Sequence, residues 1–326
     1  MKEPILRVDD LRTYFTTKSG LVKAVDGVSF TVAEGETLGI VGESGSGKSI
    51  TALSILQLVP PPSGQIVGGR IALRGEDLLQ KSEREMQKIR GSKISMILQD
   101  PMTSLDPLFT IGEQLAEPIR IHQKAQTRDV MARVREMLGL VKIPSPERRI
   151  NDYPHQMSGG MRQRIVGAIA LACEPELLIA DEPTTSLDVT IQAQFLALLK
   201  DIQRNFGLAM IVITHDLGIV AKICHRVAVM YAGRIVETAE VRALFKRPVH
   251  PYTIALLQCL PKLETPTERL FTIGGQPPDP RRLPLGCSFA PRCPQAMDIC
   301  HQEFPPWREI RGAHFACCHL TETSEG

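Results

Sequence analysis

Strand-like runs recur along the chain and alternate with stretches of helical character. The runs are Val25–Val32, Thr37–Val41, Ile94–Leu98, Leu177–Ala180 and Met210–Ile213. The last two are continuously apolar, which is typical of parallel strands covered on both faces. Helix-like stretches occur at Ile50–Leu58 and Thr190–Ile202. This alternation predicts an α/β fold.

A more polar stretch, from about residue 110 to residue 150, has helical rather than strand periodicity. Its apolar positions at helical spacing are Val130, Val134, Met137 and Leu138. We expect this helix to end at Gly139 and its apolar stripe to serve as a packing surface. The pattern predicts a helical subdomain over about residues 100–170, inserted in the α/β domain.

The character of the chain changes after Glu240. Proline becomes frequent, as in Gly274–Pro280, and cysteines cluster near the end of the chain. We therefore divide the chain into an α/β domain, residues 1–245, and a C-terminal appendage, residues 246–326. The appendage is expected to have little regular structure and to be held by something other than a large apolar core.

Composition and charge narrow the classes of function. The 326 residues carry 38 basic and 36 acidic side chains, interleaved along most of the chain, with a net charge of +2. No clustered basic face is indicated, so nucleic acid is not an expected partner. The first residues lack the apolar segment of a secretion signal, and the longest uncharged run, Ser49–Gly69, contains three consecutive prolines. We therefore expect a soluble protein whose contact with a membrane is peripheral.

The segment Gly42–Ser49 matches a phosphate-binding loop. It fits the pattern G-x-x-x-x-G-K-S/T and lies between a predicted strand and a predicted helix, which is the context this motif requires. Its backbone N–H groups are expected to surround phosphate oxygens, with Lys48 on the β- and γ-phosphates and Ser49 on Mg²⁺. The residues expected to contact nucleotide are Gly42, Ser44, Gly45, Ser46, Gly47, Lys48 and Ser49.

Polar residues follow three other predicted strands. They are Gln99, the pair Asp181 and Glu182, and His215. Because ligands in open α/β sheets bind beyond the carboxyl ends of the strands, these residues are expected at one catalytic edge. Asp181 and Gln99 suit partners of Mg²⁺, and Glu182 suits the group that polarises an attacking water. His215, which alone would be assigned to core or surface, becomes a candidate γ-phosphate contact.

A second phosphate-binding helix end is indicated at Ser158-Gly159-Gly160. These residues open a helical run that extends through Leu171. Ser158 can cap the helix, and the glycines expose backbone N–H groups at its positive end. Taken alone, the motif would indicate only the start of a helix.

The order of these motifs resembles the nucleotide-binding domain of ABC ATPases. The motifs are the phosphate loop, Gln99, the Ser-Gly-Gly signature, the strand Leu-Leu-Ile-Ala-Asp-Glu, Ser186-Leu187-Asp188 and His215. The resemblance covers about residues 5–245 and implies a P-loop ATPase domain with a helical insert and an antiparallel β edge. It also implies a head-to-tail dimer, in which Ser158–Gly160 of one subunit covers ATP on the other and Asp188 lies at the same interface.

Further segments are similar to ATPases of dipeptide, oligopeptide and nickel importers. They are Gln99–Pro107, His250-Pro251-Tyr252-Thr253 and Cys287–Pro294. The resemblance implies an ATP-hydrolysing subunit that powers import of peptides, or alternatively of nickel, from the cytoplasmic face of the inner membrane. The implied partners are two permease subunits, a related second ATPase and, indirectly, an extracytoplasmic solute-binding protein. An aromatic residue near the start of such ATPases stacks on adenine, and Phe15 matches it best, with Tyr14 as the second choice.

Two other classes of function remain as alternatives. ABC-type ATPases that act on DNA or ribosomes carry long coiled coils, large insertions or two nucleotide domains, and the sequence has none of these. A nucleotide-binding switch without hydrolysis is disfavoured by Glu182 and His215.

Five of the eight cysteines lie in the last forty residues, at Cys287, Cys293, Cys300, Cys317 and Cys318. Four thiolates can hold a [4Fe–4S] cluster, which would staple a proline-rich segment. Zinc is the alternative, although its cysteines are usually two to four residues apart, and a disulfide is not expected in the cytoplasm. The family resemblance favours a cluster on Cys287, Cys293, Cys300 and Cys318, with Cys317 as the alternative fourth ligand. Cys173, Cys224 and Cys259 are expected to be small buried apolar residues.

Overall fold

The structure, a computed structural model, describes residues 3–100, 104–123, 127–185, 187–260 and 271–322. The strands are β1 (Leu6–Thr17), β2 (Gly20–Val32), β3 (Thr37–Val41), β4 (Gly64–Leu73), β5 (Glu76–Asp77), β6 (Ile94–Ile97), β7 (Leu177–Asp181), β8 (Ala209–Thr214), β9 (Arg226–Tyr231), β10 (Arg234–Glu240), β11 (Trp307–Glu309) and β12 (Phe315–Cys317). The helices are α1 (Lys48–Ile55), α2 (Glu83–Ile89), α3 (Ile111–Gln123), α4 (Thr127–Leu140), α5 (Pro146–Arg149), α6 (Gly159–Leu171), α7 (Val189–Phe206), α8 (Leu217–Ile223), α9 (Val241–Lys246), α10 (Pro251–Gln258) and α11 (Asp298–Gln302).

The chain divides into two compact units. Unit 1 comprises Met1–Leu6, Val32–Thr37 and Leu73–Ile213, and unit 2 comprises Arg7–Thr31, Leu38–Ala72 and Thr214–Gly326. The division predicted at residue 245 stays a prediction. All five predicted strands are present, and the mixed α/β fold is confirmed.

Unit 1 is built on a parallel sheet in which β7 lies between β6 and β8. Ile94 is in register with Leu177, and Leu177 with Ala209. Every residue of β7 and β8 is buried, as the continuous apolar pattern predicted. At the carboxyl ends of β6 and β7, the polar residues Gln99 and Glu182 lie at one edge of the sheet.

The helical stretch of unit 1 packs on an apolar core that also includes side chains of the sheet. The predicted stripe Val130, Val134, Met137 and Leu138 is fully buried in α4. The expectation that this helix ends at Gly139 was wrong, because Gly139 is helical and α4 continues to Leu140. The turn comes at Lys142, whose φ of 57° takes the left-handed conformation that ends a helix.

Unit 2 joins a parallel strand pair to an antiparallel edge. Strand β3 pairs with β9 in parallel, and β9, β10, β12 and β11 follow in antiparallel order. In a separate sheet, β1 lies between β2 and β4. The antiparallel edge that the family resemblance implied is therefore present.

The C-terminal segment, residues 246–326, contains only a few short regular elements. It contributes α10, α11 and two strands, of which β12 pairs with β10. Its Tyr252 and Phe289 are buried in the same apolar cluster as Val229 and Tyr231. The expectation that something other than an apolar core holds this segment was wrong at these positions, because Tyr252 and Phe289 share the core of unit 2.

The described residues contain no helix that is both long enough and apolar enough to cross a membrane.

Candidate functional site

The phosphate loop in unit 2 connects β3 to α1. Lys48 is buried at the start of the helix, and its Nζ donates to the carbonyl oxygens of Gly42, 2.9 Å, and Glu43, 3.0 Å. Gly47 caps α1 in the left-handed region, with φ of 104°. The loop therefore closes around its own lysine, and the ammonium group lies where a phosphate oxygen can replace a carbonyl as its partner.

Two glycines of the loop lie against other backbone. A Cβ at Gly42 would overlap the carbonyl oxygen of Met230, and one at Gly47 would overlap that of Ala24. No such contact exists at Gly45, whose φ is 77°. Strands β9 and β2 thus fix the path of the loop through glycines that have no room for a side chain.

The candidate base lies in unit 1, directly after β7. Glu182 Oε2 accepts from Gln99 Nε2 at 3.0 Å and from the Thr185 hydroxyl at 2.9 Å. Its backbone N–H donates to the carbonyl oxygen of Ile213 at 2.9 Å, and its φ of 45° is unusual for a residue with a side chain. Such strain persists only where the surroundings enforce it, which is common at functional sites. Asp181, the last residue of β7, is buried.

The signature and Asp188 are both helix caps in unit 1. Ser158 Oγ accepts from the backbone N–H of Met161 at 3.3 Å, which confirms it as the cap of α6. Asp188 Oδ1 accepts from the backbone N–H of Ile191 at 2.9 Å, so Asp188 caps α7. The sequence did not indicate the second cap, although an aspartate just before a helical stretch was the available signal.

The remaining predicted nucleotide contacts lie in unit 2. His215 is exposed after β8, and Phe15 is half-buried in β1. Tyr14, the second choice for adenine stacking, is engaged elsewhere, because its hydroxyl donates to Asp26 Oδ1 at 2.6 Å. Its ring also faces the Lys23 ammonium at 5.7 Å. Tyr14 therefore has polar partners in β2, and the choice of Phe15 for adenine stacking stays a prediction.

The four favoured cysteines line one small cavity in unit 2. Cys287, Cys293, Cys300 and Cys318 share it with His250 and His319, and Cys317 is not among its lining residues. Burial raises the pKa of the Cys287, Cys293 and Cys318 thiols, to about 11 for Cys318. These groups are therefore neutral thiols unless a metal or cation favours the thiolate.

Two histidine nitrogens of this cavity are buried without a hydrogen-bond partner among the described residues. They are Nε2 of His250 and Nδ1 of His319. Burial lowers the pKa of His250 to about 4, and its Nδ1 accepts from the Tyr252 N–H, so Nε2 carries the proton. An acceptor atom in the cavity would satisfy this donor.

Two other observations weigh against an occupied cluster site in this conformation. The free volume is about 10 Å³, enough for about one water molecule, so any larger group requires the lining to move outward. Within the described residues, no group of three or more His, Cys, Asp or Glu side chains has the geometry of a metal site.

Comparison with known proteins identifies the family. Residues 25–185 match the family described as ABC transporter, and residues 236–300 match the oligopeptide/dipeptide transporter C-terminal region. The dipeptide transport ATP-binding protein of Bacillus subtilis is 50% identical over 320 residues, covering 98% of this chain and 96% of that protein. This chain belongs to the ATP-binding subunits of peptide ABC transporters.

Other relatives of this ABC transporter subunit agree. The oligopeptide transport ATP-binding protein of Salmonella typhimurium is 49% identical over 314 residues, covering 96% of this chain and 93% of that protein. A solved ATP-binding cassette, described as dimeric in a post-hydrolysis state bound to ADP and Pi, superposes with a TM-score of 0.65 at 26% identity. It covers 73% of this chain and 99% of its own. The expectation of an ATP-hydrolysing transporter subunit is confirmed, and the nickel alternative is not favoured.

The sequence missed several residues that hold this ATP-binding subunit's loops. Thr185 was not assigned a role, yet it hydrogen-bonds the candidate base. Glu43 was treated as a variable position of the phosphate loop, yet its carboxylate binds Arg292 and its N–H donates to the Tyr252 hydroxyl. These partners are 249 and 209 residues away in sequence, so no local signal could have identified them.

Proposed function

We propose that this subunit hydrolyses ATP to power uptake of dipeptides and oligopeptides through a separate membrane permease. The names of its relatives and its match to the oligopeptide/dipeptide C-terminal region support peptide as cargo. The observation that carries the catalytic part is the contact of Gln99 with Glu182 at the end of β7. This contact orients a carboxylate at the edge where a parallel sheet binds its ligand.

The roles of individual residues follow from their chemistry. Lys48 neutralises the β- and γ-phosphates, and Ser49, Gln99 and Asp181 would hold Mg²⁺, which would neutralise further phosphate charge. Glu182 polarises the water whose oxygen attacks the γ-phosphorus, and the bond to the bridging oxygen breaks to release ADP. His215 contacts the γ-phosphate, and Phe15 stacks on adenine. In a head-to-tail dimer, Ser158, Gly159 and Gly160 of one subunit cover the nucleotide of the other, next to Asp188.

Replacing Glu182 tests the catalytic proposal. Glu182→Gln keeps size and hydrogen bonding, so the variant should bind ATP normally, lose turnover and accumulate an ATP-bound dimer. Lys48→Ala should instead weaken ATP binding, because it removes a charge facing the phosphates. Binding is measured by equilibrium titration, turnover by phosphate release and dimer formation by light scattering. Hydrolysis at the wild-type rate in Glu182→Gln would remove this residue from the role of base.

We place the permease contact near Gln99, at the cytoplasmic face of the inner membrane. Leu98, Leu108 and Phe109 are large apolar side chains that are exposed on either side of this stretch, with Leu108 80% exposed. The predicted contact region also includes residues 101–103, which lie outside the described residues. Crosslinks from a short cytoplasmic helix of the permease should map to this region. Crosslinks confined to residues 246–326 would contradict the placement.

We further propose two permease subunits, a related second ATPase and an extracytoplasmic solute-binding protein as partners. Reconstitution into vesicles tests the heterodimer, with peptide and nickel uptake measured in parallel. Stimulated peptide uptake should require both ATPases. Full transport with this chain as the sole ATPase would argue for a homodimer, and nickel uptake without peptide uptake would overturn the cargo.

We propose that Cys287, Cys293, Cys300 and Cys318 hold a [4Fe–4S] cluster. Their convergence on one cavity and the unpartnered His250 Nε2 support it. When bound, the cluster supplies a structural cross-link for this segment. Protein purified without oxygen should contain iron and acid-labile sulfide, and both should fall in Cys300→Ser. If the protein instead contains stoichiometric zinc and no sulfide, the cluster proposal is wrong and the four cysteines form a zinc site.

A further inference from the structure

We propose that Arg292 is a positioning residue for ATP binding, because it clamps the phosphate loop to the C-terminal segment through Glu43. The proposal rests on the ATP-binding function of this loop. It assigns a role in nucleotide affinity to a residue 249 positions away from the loop in sequence.

The contact between Arg292 and Glu43 is bidentate and shielded. Nη1 of Arg292 donates to Glu43 Oε2 at 2.7 Å, and Nη2 donates to Oε1 at 3.0 Å. The side chain of Arg292 is only 4% exposed, and that of Glu43 is 27% exposed. Paired hydrogen bonds of this kind fix orientation as well as distance, and water screens them little when they are buried.

Arg292 is itself held on all sides. Its Nε donates to the carbonyl oxygen of Gly274 at 2.9 Å, and Nη1 also donates to the Tyr231 hydroxyl at 3.2 Å. The guanidinium group lies 5.8 Å from the ring centre of Tyr231 and 5.9 Å from that of Phe289. The hydrogen bond with Glu43, against some opposition from desolvation, raises the pKa of Arg292 above its usual value. The position of the Arg292 charge is therefore fixed, and it determines the position of the Glu43 carboxylate.

Glu43 transmits this position to the groups that meet phosphate. Its N–H donates to the Tyr252 hydroxyl at 2.8 Å, and its carbonyl oxygen accepts from Lys48 Nζ and from the Ser46 N–H. Glu43 is thus held by its side chain and its N–H, while its carbonyl holds the phosphate lysine. A loop fixed before ligand arrives pays less ordering entropy on binding, so the clamp should act on affinity.

The clamp also connects the loop to the proposed cluster ligands. Arg292 ends a 3₁₀ turn, Ala290–Arg292, that lies between Cys287 and Cys293. The Ala290 N–H donates to the Cys287 carbonyl, and the Cys293 N–H donates to the Ala290 carbonyl. Whatever holds these two cysteines also holds the turn that presents Arg292.

Four variants test the clamp: Arg292→Ala, Arg292→Lys, Glu43→Gln and the double variant Arg292→Ala/Glu43→Gln. The matched control is Arg281→Ala, because Arg281 pairs with Asp279 in the same segment and is exposed. The affinity for MgATP is measured on the purified chain, and kcat and KM on the assembled transporter. Urea unfolding shows that each variant is folded.

We expect Arg292→Ala to raise the Kd and KM for ATP about tenfold, with kcat at saturating ATP changed less than about twofold. Arg292→Lys should raise the Kd and KM for ATP about threefold, because lysine keeps the charge but cannot form the two parallel hydrogen bonds. Glu43→Gln keeps one acceptor oxygen but loses the charge, so it should raise the Kd less than Arg292→Ala does. The double variant should be no worse than Arg292→Ala, since both substitutions act on one interaction. Arg281→Ala should leave affinity unchanged.

Three results would overturn the clamp. They are an unchanged Kd in Arg292→Ala, effects that multiply in the double variant, and a fall in kcat without a change in KM. If Arg292→Ala does not fold, Glu43→Gln decides alone, because it leaves every other contact of Arg292 in place. An unchanged Kd in that variant would equally overturn the proposal.

Discussion

Gly42 shows how a single missing side chain shapes the phosphate loop. A Cβ at this position would overlap the Met230 carbonyl oxygen, and backbone cannot move aside cheaply. We expect Gly42→Ala to destabilise the protein by about 3 kcal/mol and to lose ATP affinity, because the loop must shift away from β9. Urea unfolding and ATP titration measure both effects.

Gly45 in the same loop provides the control. A Cβ there meets nothing within 4 Å, although φ is 77°. Gly45→Ala should therefore cost only about 1 kcal/mol, from the left-handed backbone alone. Equal losses in the two variants would mean that backbone conformation, and not the contact with Met230, fixes the loop.

Asp26 gives the second prediction at the residue scale. Its carboxylate accepts from the Tyr14 hydroxyl at 2.6 Å and from Arg234 Nη2 at 2.7 Å. Burial alone would raise the pKa of Asp26, but these hydrogen bonds and the charge of Arg234 outweigh burial and lower it. Because the folded pKa lies below the unfolded value, the stabilisation is complete above about pH 4 and is lost as pH falls through the folded pKa.

Asp26→Asn should accordingly lower the free energy of unfolding by about 2 kcal/mol at pH 7, because Arg234 loses its charged partner. The two proteins should converge in stability as pH falls through the folded pKa of Asp26, because the wild-type carboxyl becomes protonated there as well. Urea unfolding from pH 7 to pH 3 measures this. A constant difference at every pH would show that the carboxylate charge contributes nothing.

The sequence identified most residues of the candidate site through short motifs, and missed those held by distant contacts. Lys48 was predicted from a single local pattern, and Ser158 from a helix start that became specific only through the order of the motifs. Arg292 appeared only within the range Cys287–Pro294, because its partner Glu43 lies in another part of the chain. Local patterns contain no information on such a pair.

At the scale of elements, Asp188 has two roles that can be tested separately. It caps α7, and it is proposed to lie at the dimer interface. As a cap, it needs only an oxygen that accepts from the Ile191 N–H. Asp188→Asn keeps that oxygen and should leave stability unchanged, whereas Asp188→Ala should cost about 1 kcal/mol. Thermal unfolding of both variants measures the cap, and phosphate release measures the proposed interface role.

The two readouts give distinct outcomes for Asp188. If the proposed dimer interface needs the carboxylate charge, Asp188→Asn is stable but slow in ATP hydrolysis. A variant that is both stable and fully active would limit Asp188 to capping. A destabilised Asp188→Asn would contradict the assignment of the cap.

Element boundaries were less predictable than element types. The periodicity of α4 predicted its buried face correctly. The helix ends at Leu140, however, and not at Gly139 as the sequence indicated. Glycine is tolerated inside a helix at a cost of about 1 kcal/mol, which packing can offset. The left-handed turn falls instead at Lys142, which local propensity does not favour.

At the scale of the whole molecule, the C-terminal segment is part of the core of unit 2. The sequence suggested otherwise, because proline and cysteine are frequent there and its apolar residues show no regular period. The aromatic side chains that join it to the core come from three separate segments, at Tyr231, Tyr252 and Phe289. Composition reports which residues are present, but only the fold brings these rings together.

Substitution of Phe289 tests whether the C-terminal segment contributes to the stability of the core of unit 2. The Phe289 side chain is 1% exposed, and its ring centre lies 5.3 Å from that of Tyr231 and 5.4 Å from that of Tyr252. Phe289→Ala should lower the free energy of unfolding by about 4 kcal/mol, and Phe289→Leu by less than about 1.5 kcal/mol, because leucine refills most of the volume. Urea unfolding followed by tyrosine fluorescence measures both. If Phe289→Ala is as stable as the wild type, the segment is a cover and the core of unit 2 is complete without it.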